Sequence, residues 1–425
     1  MEWGLTTLAL ALLAVAAVSR RLSGTPITPA IVFVSIGLLV GPKVLDAVDI
    51  PSTSATVRAL AEATLALVLF SDASRVDLGQ LRRGISVPVR LLGIGLPLTI
   101  ALGALVAAVI FGQLTFWEAA ILGIILAPTD AALGQAVVTE PRVPGRVRQG
   151  LNVESGLNDG ICVPLLFAAV AAADVTSQIS GGRTGITLLV EEVGYGVLGG
   201  VTAGVLIGAI VLYAGNKDLI AGAWRQVIPA AGAALAYGTA DALGGSGFIA
   251  AFVAGMVFRA VIERDPDEMN RLTDEVGSVL NGITFVVFGA ILLGPALGEL
   301  SWELALYAVL SLTVVRIIPV AIAMLGTHAR RPTLAFMGWF GPRGLASIVF
   351  AVIVVEESQL PHEHLLTLAI YLTVGLSVFA HGLTASPLAT RYADWFEGHP
   401  RDKAPSMESA PAEVTRTRGW FGQSA

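Results

Sequence analysis

Val153-Glu154-Ser155-Gly156-Leu157-Asn158-Asp159-Gly160 interrupts an otherwise apolar segment. Arg142, Arg146 and Arg148 lie just before it, and Ile161 to Ala173 carry almost nothing polar after it. At about 100° per residue, Glu154, Ser155, Asn158 and Asp159 fall within a sector of roughly 140° on one helix face. An ionised side chain at bilayer mid-depth costs at least about 2.5–3.5 kcal/mol on insertion scales, so four polar groups on one face of a membrane-length helix mark a functional site. A buried structural acid is the bland alternative for Asp159, and the same cost weighs against it.

The surrounding composition belongs to a membrane protein. The 425 residues are 55% hydrophobic and 14% charged, with mean hydropathy +0.76, more apolar surface than a soluble globular chain needs. Cys162 is the single cysteine, which excludes a disulfide framework and any cysteine-based metal site. No cofactor and no nucleic-acid partner are expected; the expected surroundings are membrane lipid. Met1 to Val18 is apolar and followed by Arg20 and Arg21. A secretory signal would carry its positive charges first, so this stretch reads as a retained helix.

Thirteen apolar segments of spanning length follow one another, at residues 3–19, 28–46, 55–72, 86–111, 116–138, 148–173, 185–214, 225–241, 246–262, 273–294, 302–325, 333–355 and 364–388. The loops give an independent check. One alternating set holds Arg20 and Arg21, then Arg75, Arg82 and Arg83, then Arg142, Arg146 and Arg148, then Lys217, then Arg264 and Arg271, then Arg330 and Arg331. The other set holds only Lys43 and Arg183. The positive-inside rule makes the first set cytoplasmic, with the N-terminus outside and the C-terminus inside. After Trp395 the polar, proline-containing, aperiodic sequence reads as a short disordered cytoplasmic tail.

Three polar interruptions share one depth. Asp159 lies roughly 16 Å along a helix from Arg148, Thr129 about 18 Å from Trp117, and Arg343 about 18 Å from Arg331. Pro128 in Ala127-Pro128-Thr129-Asp130 and Pro342 in Gly341-Pro342-Arg343-Gly344 each remove a backbone donor and break their segment. Unwound backbone at mid-membrane is tolerated only where it is buried in protein or lines a cavity. Segments five and twelve are antiparallel and hold matching places if segments 1–6 and 8–13 form two inverted six-helix repeats linked by segment seven. Broken helices at matching places in inverted repeats point to a transporter site. The expected fold is therefore all-α and polytopic, with thirteen transmembrane helices and broken, crossing helices five and twelve.

These motifs resemble those of the NhaP-type sodium/proton antiporters, the monovalent cation:proton antiporter family that includes the animal sodium/proton exchangers. The residues carrying the resemblance are Ala127 to Asp130, Glu154 to Gly160 and Gly341 to Gly344, with weaker support from Gly247 to Gly255 and Phe285 to Gly289. The resemblance implies a homodimer with dimerisation-domain helices in 1–85 and 216–298, a moving core in 86–180 and 299–392, a linker helix in 181–215 and the tail in 393–425. It implies that Asp159 binds Na⁺ or a proton, with Ser155, the Thr129 main chain and Glu154 completing the shell. Arg343 would hold Glu154, Asn158 would steady that pair, and Asp130 would sit where the broken helices meet. Oxygen ligands of this kind suit a hard monovalent cation, and a carboxylate near half-helix N-termini offsets their partial positive charge.

The expected activity is electroneutral sodium (or lithium)/proton antiport in a prokaryotic cytoplasmic membrane, by a secondary transporter rather than an enzyme. One carboxylate, Asp159, would exchange one cation for one proton. Potassium/proton antiport and sodium-coupled solute symport on the same fold remain alternatives. Gly244-Gly245-Ser246-Gly247 also resembles the serine motif of rhomboid-type intramembrane proteases, but a nucleophile needs its base within hydrogen-bond reach, and the one intramembrane histidine is His381. Arg316 reads first as a structural partner for core carboxylates, His381 as a packing histidine before a pH sensor, and His362 and His364 as solvated. The loop charges predict that cysteines introduced beside Lys43 label from outside and those beside Arg146 from inside, in a Cys162→Ser background; outside labelling beside Arg146 would overturn this orientation.

Overall fold

The computed structural model describes residues 4–22, 25–46, 55–75, 86–176, 185–262, 267–357, 360–398 and 408. Arg82, Arg83, Arg183 and Arg264, on which part of the loop reading rests, lie outside the described residues, as does most of the tail. Every regular element among the described residues is helical, and each of the thirteen apolar segments contains helix. Among the described residues, six helices are long and apolar enough to cross a membrane: Val87–Ile110, Gly145–Ala173, Val190–Asn216, Met269–Glu299, Trp302–Ala323 and Glu363–Glu397. Their outer faces keep large apolar side chains exposed, among them Leu105, Val109, Leu198 and Ile210, the pattern of a surface solvated by hydrocarbon rather than water.

The helix ends of the second and the last segments depart from those the hydropathy gives. The second helix is Pro29–Val40 and stops short of residue 46. Gly41 precedes Pro42 and is held in extended backbone at ψ 173, because a residue before proline is kept out of the helical region. The last helix runs Glu363–Glu397, well beyond 388, because Tyr392, Ala393 and Phe396 are buried there. Packing extends a helix that the apolar run alone would end.

The chain forms two compact units. The first comprises Met1–Arg58, Ile85–Asn158 and Asn281–Ala425. One core of this unit gathers Val147, Leu151, Met337, Phe340, Ala389 and Tyr392, with Phe336 stacked on Tyr392 at a centroid distance of 4.2 Å. Glu408, in the stretch read as disordered tail, is buried in this unit: its carboxylate accepts hydrogen bonds from Arg330 N at 2.9 Å and Thr333 Oγ1 at 2.8 Å. It therefore caps helix Arg331–Trp339, whose own N-cap residue, Arg330, makes no side-chain capping hydrogen bond. His362 is likewise not simply solvated, since its Nδ1 lies 3.0 Å from the buried Glu118 carboxylate. His364 and Glu299 form an exposed pair at 2.8 Å.

The second unit comprises Ala59–Gly84 and Asp159–Leu280. Here helix Gly185–Asn216 presents Gly196, Gly200, Gly204 and Gly208 along one face. A Cβ at Gly200 or Gly204 would collide with the carbonyl oxygen of Ala250 or Ala254 on helix Gly247–Val261. Small residues at every fourth position let two backbones approach where lipid supplies no hydrophobic drive. Helix Gly222–Ala242, the short alanine-rich segment eight, packs Ala233, Ala236 and Ala240 into the same core. Gly194 on the same glycine-bearing helix faces open space. Gly200→Ala and Gly204→Ala should each destabilise by about 1–3 kcal/mol through overpacking. Gly194→Ala should be neutral or stabilising, since alanine is the better helix former by about 1 kcal/mol; thermal unfolding in detergent measures the contrast.

Candidate functional site

Both breaks form where proline forces them. In segment five a capping box of Thr115 and Glu118 opens helix Phe116–Ile125, the helix ends ahead of Pro128, and helix resumes only at Gln135. In segment twelve helix Arg331–Trp339 ends ahead of Pro342 and helix resumes at Leu345. Each break strands backbone donors and acceptors that nothing in a hydrocarbon interior would satisfy.

The two breaks satisfy one another. Asp130 N donates to Pro342 O at 2.8 Å, and the Asp130 carboxylate accepts from Leu345 N at 3.2 Å and from Ala132 N at 2.8 Å. A negative group thus sits at the positive N-terminal end of the second half-helix of segment twelve. In the reverse direction the Arg343 guanidinium donates to Ala127 O and Pro128 O, placing a cation at the negative end of the first half-helix of segment five. Ser347 Oγ donates to Ile125 O at 2.7 Å. The glycines of Gly341-Pro342-Arg343-Gly344 are there for space: a Cβ on Gly344 would strike the Asp130 carboxylate, and one on Gly341 the Arg316 guanidinium.

Glu154 and its partner correct the expectation from the resemblance. Arg316 forms the bidentate pair with Glu154, Nη1 to Oε1 at 2.5 Å and Nη2 to Oε2 at 2.8 Å, with both side chains 2% exposed. Arg343, expected to hold Glu154, is directed to the carbonyls of segment five. The physical reason is shape: a planar fork matches a carboxylate with two parallel bonds, and Gly341 leaves room for the Arg316 fork. Asn158 also differs from expectation. Its Nδ2 donates to Thr129 Oγ1 at 2.8 Å, and Thr129 Oγ1 is 2.8 Å from Ser155 Oγ. Asn158 Oδ1 is buried and makes no hydrogen bond among the described residues.

The arrangement gathers hydroxyl and amide oxygens of Thr129, Ser155 and Asn158, all buried. Asp159 is the next residue of the same helix, Gly145–Thr176, one turn beyond Ser155 and 9% exposed. It is the carboxylate of this helix face not committed to the bidentate pair with Arg316. Oxygen donors with one carboxylate suit a monovalent cation or a proton. Ser246 instead caps helix Gly247–Val261, its hydroxyl accepting from Ile249 N at 3.3 Å, a structural use of the motif that resembles a protease nucleophile. Sequence reading missed Ser347 and Ser377; the available signal was a hydroxyl one turn beyond Arg343 for the first, and none for the second.

A family model described as sodium/hydrogen exchanger, transmembrane, matches residues 8–391. The K(+)/H(+) antiporter NhaP of Alkalimonas amylolytica is 25% identical over 377 residues, 88% of this chain and 63% of that protein. The Na(+)/H(+) antiporter of Schizosaccharomyces pombe is 26% identical over 262 residues, 58% of this chain and 55% of that one. The chain thus spans about three fifths of the length of these curated relatives. Among solved structures, the sodium proton antiporter MjNhaP1 from Methanocaldococcus jannaschii at pH 8 shares the fold at TM-score 0.69 and 19% identity, covering 90% of this chain and 99% of that chain. A second structure of that antiporter, from an EM map, gives TM-score 0.75 at 18% identity over 94% and 99%.

Removing one partner of a buried ion pair typically costs about 3–5 kcal/mol, whereas replacing both by apolar groups is often neutral. Glu154→Leu and Arg316→Met should therefore each lower the unfolding temperature sharply, and the double variant should recover most of the loss. Additive losses in the double variant would mean that the pair is not a unit.

Proposed function

This chain belongs to the sodium/hydrogen exchanger family, and on that premise we propose that it exchanges a monovalent cation for protons, with Asp159 loading one or the other. The carrying observation is the division of labour on one helix face. Arg316 neutralises Glu154, and Asn158 is an amide, so Asp159 is the second carboxylate of that face, outside the pair with Arg316. Ser155 and Asn158 supply neutral oxygens on the same helix, both bonded to the Thr129 hydroxyl. Desolvation favours the protonated acid and a bound cation favours the carboxylate, so the two ligands compete.

The cation in this reading is Na⁺, with Li⁺ as a second substrate; K⁺ is the alternative, favoured by the name of the Alkalimonas relative. Thirteen crossings, inverted repeats of segments 1–6 and 8–13, a homodimer, and an outside N-terminus with an inside C-terminus complete the proposal. The loop arginines support the orientation and the paired proline breaks the inverted repeats, while the homodimer rests on the family resemblance. The host membrane is a prokaryotic cytoplasmic membrane, in keeping with the bacterial relative. Sodium-coupled solute symport would use the same fold but needs an organic substrate.

Proteoliposomes carrying an imposed pH gradient should lose it on addition of Na⁺ or Li⁺ without any organic solute. Failure with Na⁺, Li⁺ and K⁺ alike would sink the proposal. One carboxylate exchanging one for one moves no net charge. Imposed diffusion potentials of either sign, worth about 2.3 kcal/mol per elementary charge at 100 mV, should therefore leave the rate unchanged. Acceleration by one sign and slowing by the other means that a second group also carries a proton.

A further inference from the structure

The break in segment twelve has a back as well as a front. Its front meets segment five through Pro342 O and the Arg343 side chain. Its back meets the last helix, Glu363–Glu397, at two buried side chains the transport reading does not use. Arg343 N, one of the donors released by the break, gives its hydrogen to Ser377 Oγ at 2.6 Å. Ser377 Oγ lies 3.1 Å from His381 Nδ1, and His381 Nε2 lies 3.0 Å from Trp339 O. Trp339 is the last residue of the helix before the break, and its ring packs on His381 at 5.1 Å between centroids.

Donor and acceptor roles follow from chemistry. Both ring nitrogens face a carbonyl oxygen, Nε2 that of Trp339 at 3.0 Å and Nδ1 that of Ser377 at 3.2 Å, and the shorter contact assigns the hydrogen of a neutral ring to Nε2. In a neutral imidazole Nδ1 is then the acceptor, and the Ser377 hydroxyl donates to it while accepting from Arg343 N. The result is one continuous chain: Arg343 N–H to Ser377 Oγ–H to His381 Nδ1, and His381 Nε2–H to Trp339 O. It joins the first residue after Pro342 to the last helical residue before Phe340, and so closes around the unwound turn. Ser377 and His381 are both fully buried, so water does not substitute for either.

We propose that Ser377 and His381 are positioning residues that hold the break in segment twelve at a fixed opening, and thereby hold Arg343 on the carbonyls of Ala127 and Pro128. Those carbonyls immediately precede Thr129, so the clamp sets the geometry of the cation's oxygen donors from two helices away. The residues touch neither cation nor proton in this scheme. A packing role alone would make them matter for stability and nothing else.

The inference rests on the proposed antiport, and the test separates the two. Ser377→Ala, Ser377→Thr, His381→Leu and His381→Gln are purified beside the unsubstituted protein. Each is assayed for apparent KM for the exchanged cation, maximal rate and unfolding temperature. Ser377→Ala and His381→Leu should raise the apparent KM by about fivefold or more, the scale of one buried hydrogen bond. Ser377→Thr keeps the hydroxyl and His381→Gln keeps a donor for Trp339 O, so both should stay within about twofold of the unsubstituted protein, a span smaller than one hydrogen bond. Lowered stability with an unchanged apparent KM in Ser377→Ala overturns the clamp, as does an equal effect of Ala and Thr. If His381→Leu fails to fold, the two serine variants decide alone. Inactivity of the unsubstituted protein counts against the proposed function, whereas loss confined to the variants bears on the clamp.

Discussion

Backbone amides cannot be left unpaired in hydrocarbon, and this molecule breaks two helices where that penalty is greatest. Everything in the first unit is arranged around the repair. Asp130 answers the exposed N–H groups at Leu345 and Ala132, Arg343 answers the exposed carbonyls at Ala127 and Pro128, and each residue comes from the opposite broken segment in its key contact. The exchange is reciprocal: a carboxylate faces a helix start, a guanidinium faces a helix end, and both are held by main-chain groups of the other segment. Opening one break without the other would leave charges and dipoles mismatched inside the membrane. The two segments are for that reason one mechanical object.

Against this rigid crossing stands a helix face with a sharp division of electrical duty. Glu154 and Arg316 form a closed pair that contributes no net charge, and Asn158 is neutral. Burial on this scale is costly unless every lone pair is used, and the bidentate geometry uses both carboxylate oxygens. The other carboxylate on that face is Asp159. In the proposed exchange, selectivity between cation and proton becomes a question of how well a few neutral oxygens replace water around a small ion.

Most of this was legible along the chain, and the reason is periodicity. Apolar runs, loop arginines and prolines at matching depth are one-dimensional signals, and they give thirteen helical segments and the two breaks. Arg316 was legible as a candidate partner for the core carboxylates, but its pairing with Glu154 in place of Arg343 was not. Depth counted from the loops puts Arg343 level with the carboxylates, yet depth carries no azimuth, and two arginines at similar depth differ only in which way they turn. Gly341 was the hidden clue, because its missing side chain is the space Arg316 fills. The long last helix escaped for a different reason: Tyr392, Ala393 and Phe396 are held by packing, which hydropathy does not count. Ser377 and His381 carried no pattern at all, being polar residues that serve the backbone of another segment.

The Glu408 cap gives the far end of the chain a bearing on how the protein can be handled. Its carboxylate completes the start of helix Arg331–Trp339 through Arg330 N and Thr333 Oγ1, and Thr333 in turn touches Tyr392 at 2.9 Å. That half-helix leads directly into the broken crossing. Shortening the chain ahead of residue 408, as one might to sharpen crystals or seat an affinity tag, removes more than a loose end. It uncaps the first half-helix of segment twelve and removes the buried carboxylate that lies 3.5 Å from Arg330 Nε. The safe place to trim or to attach a reporter is therefore downstream of Glu408.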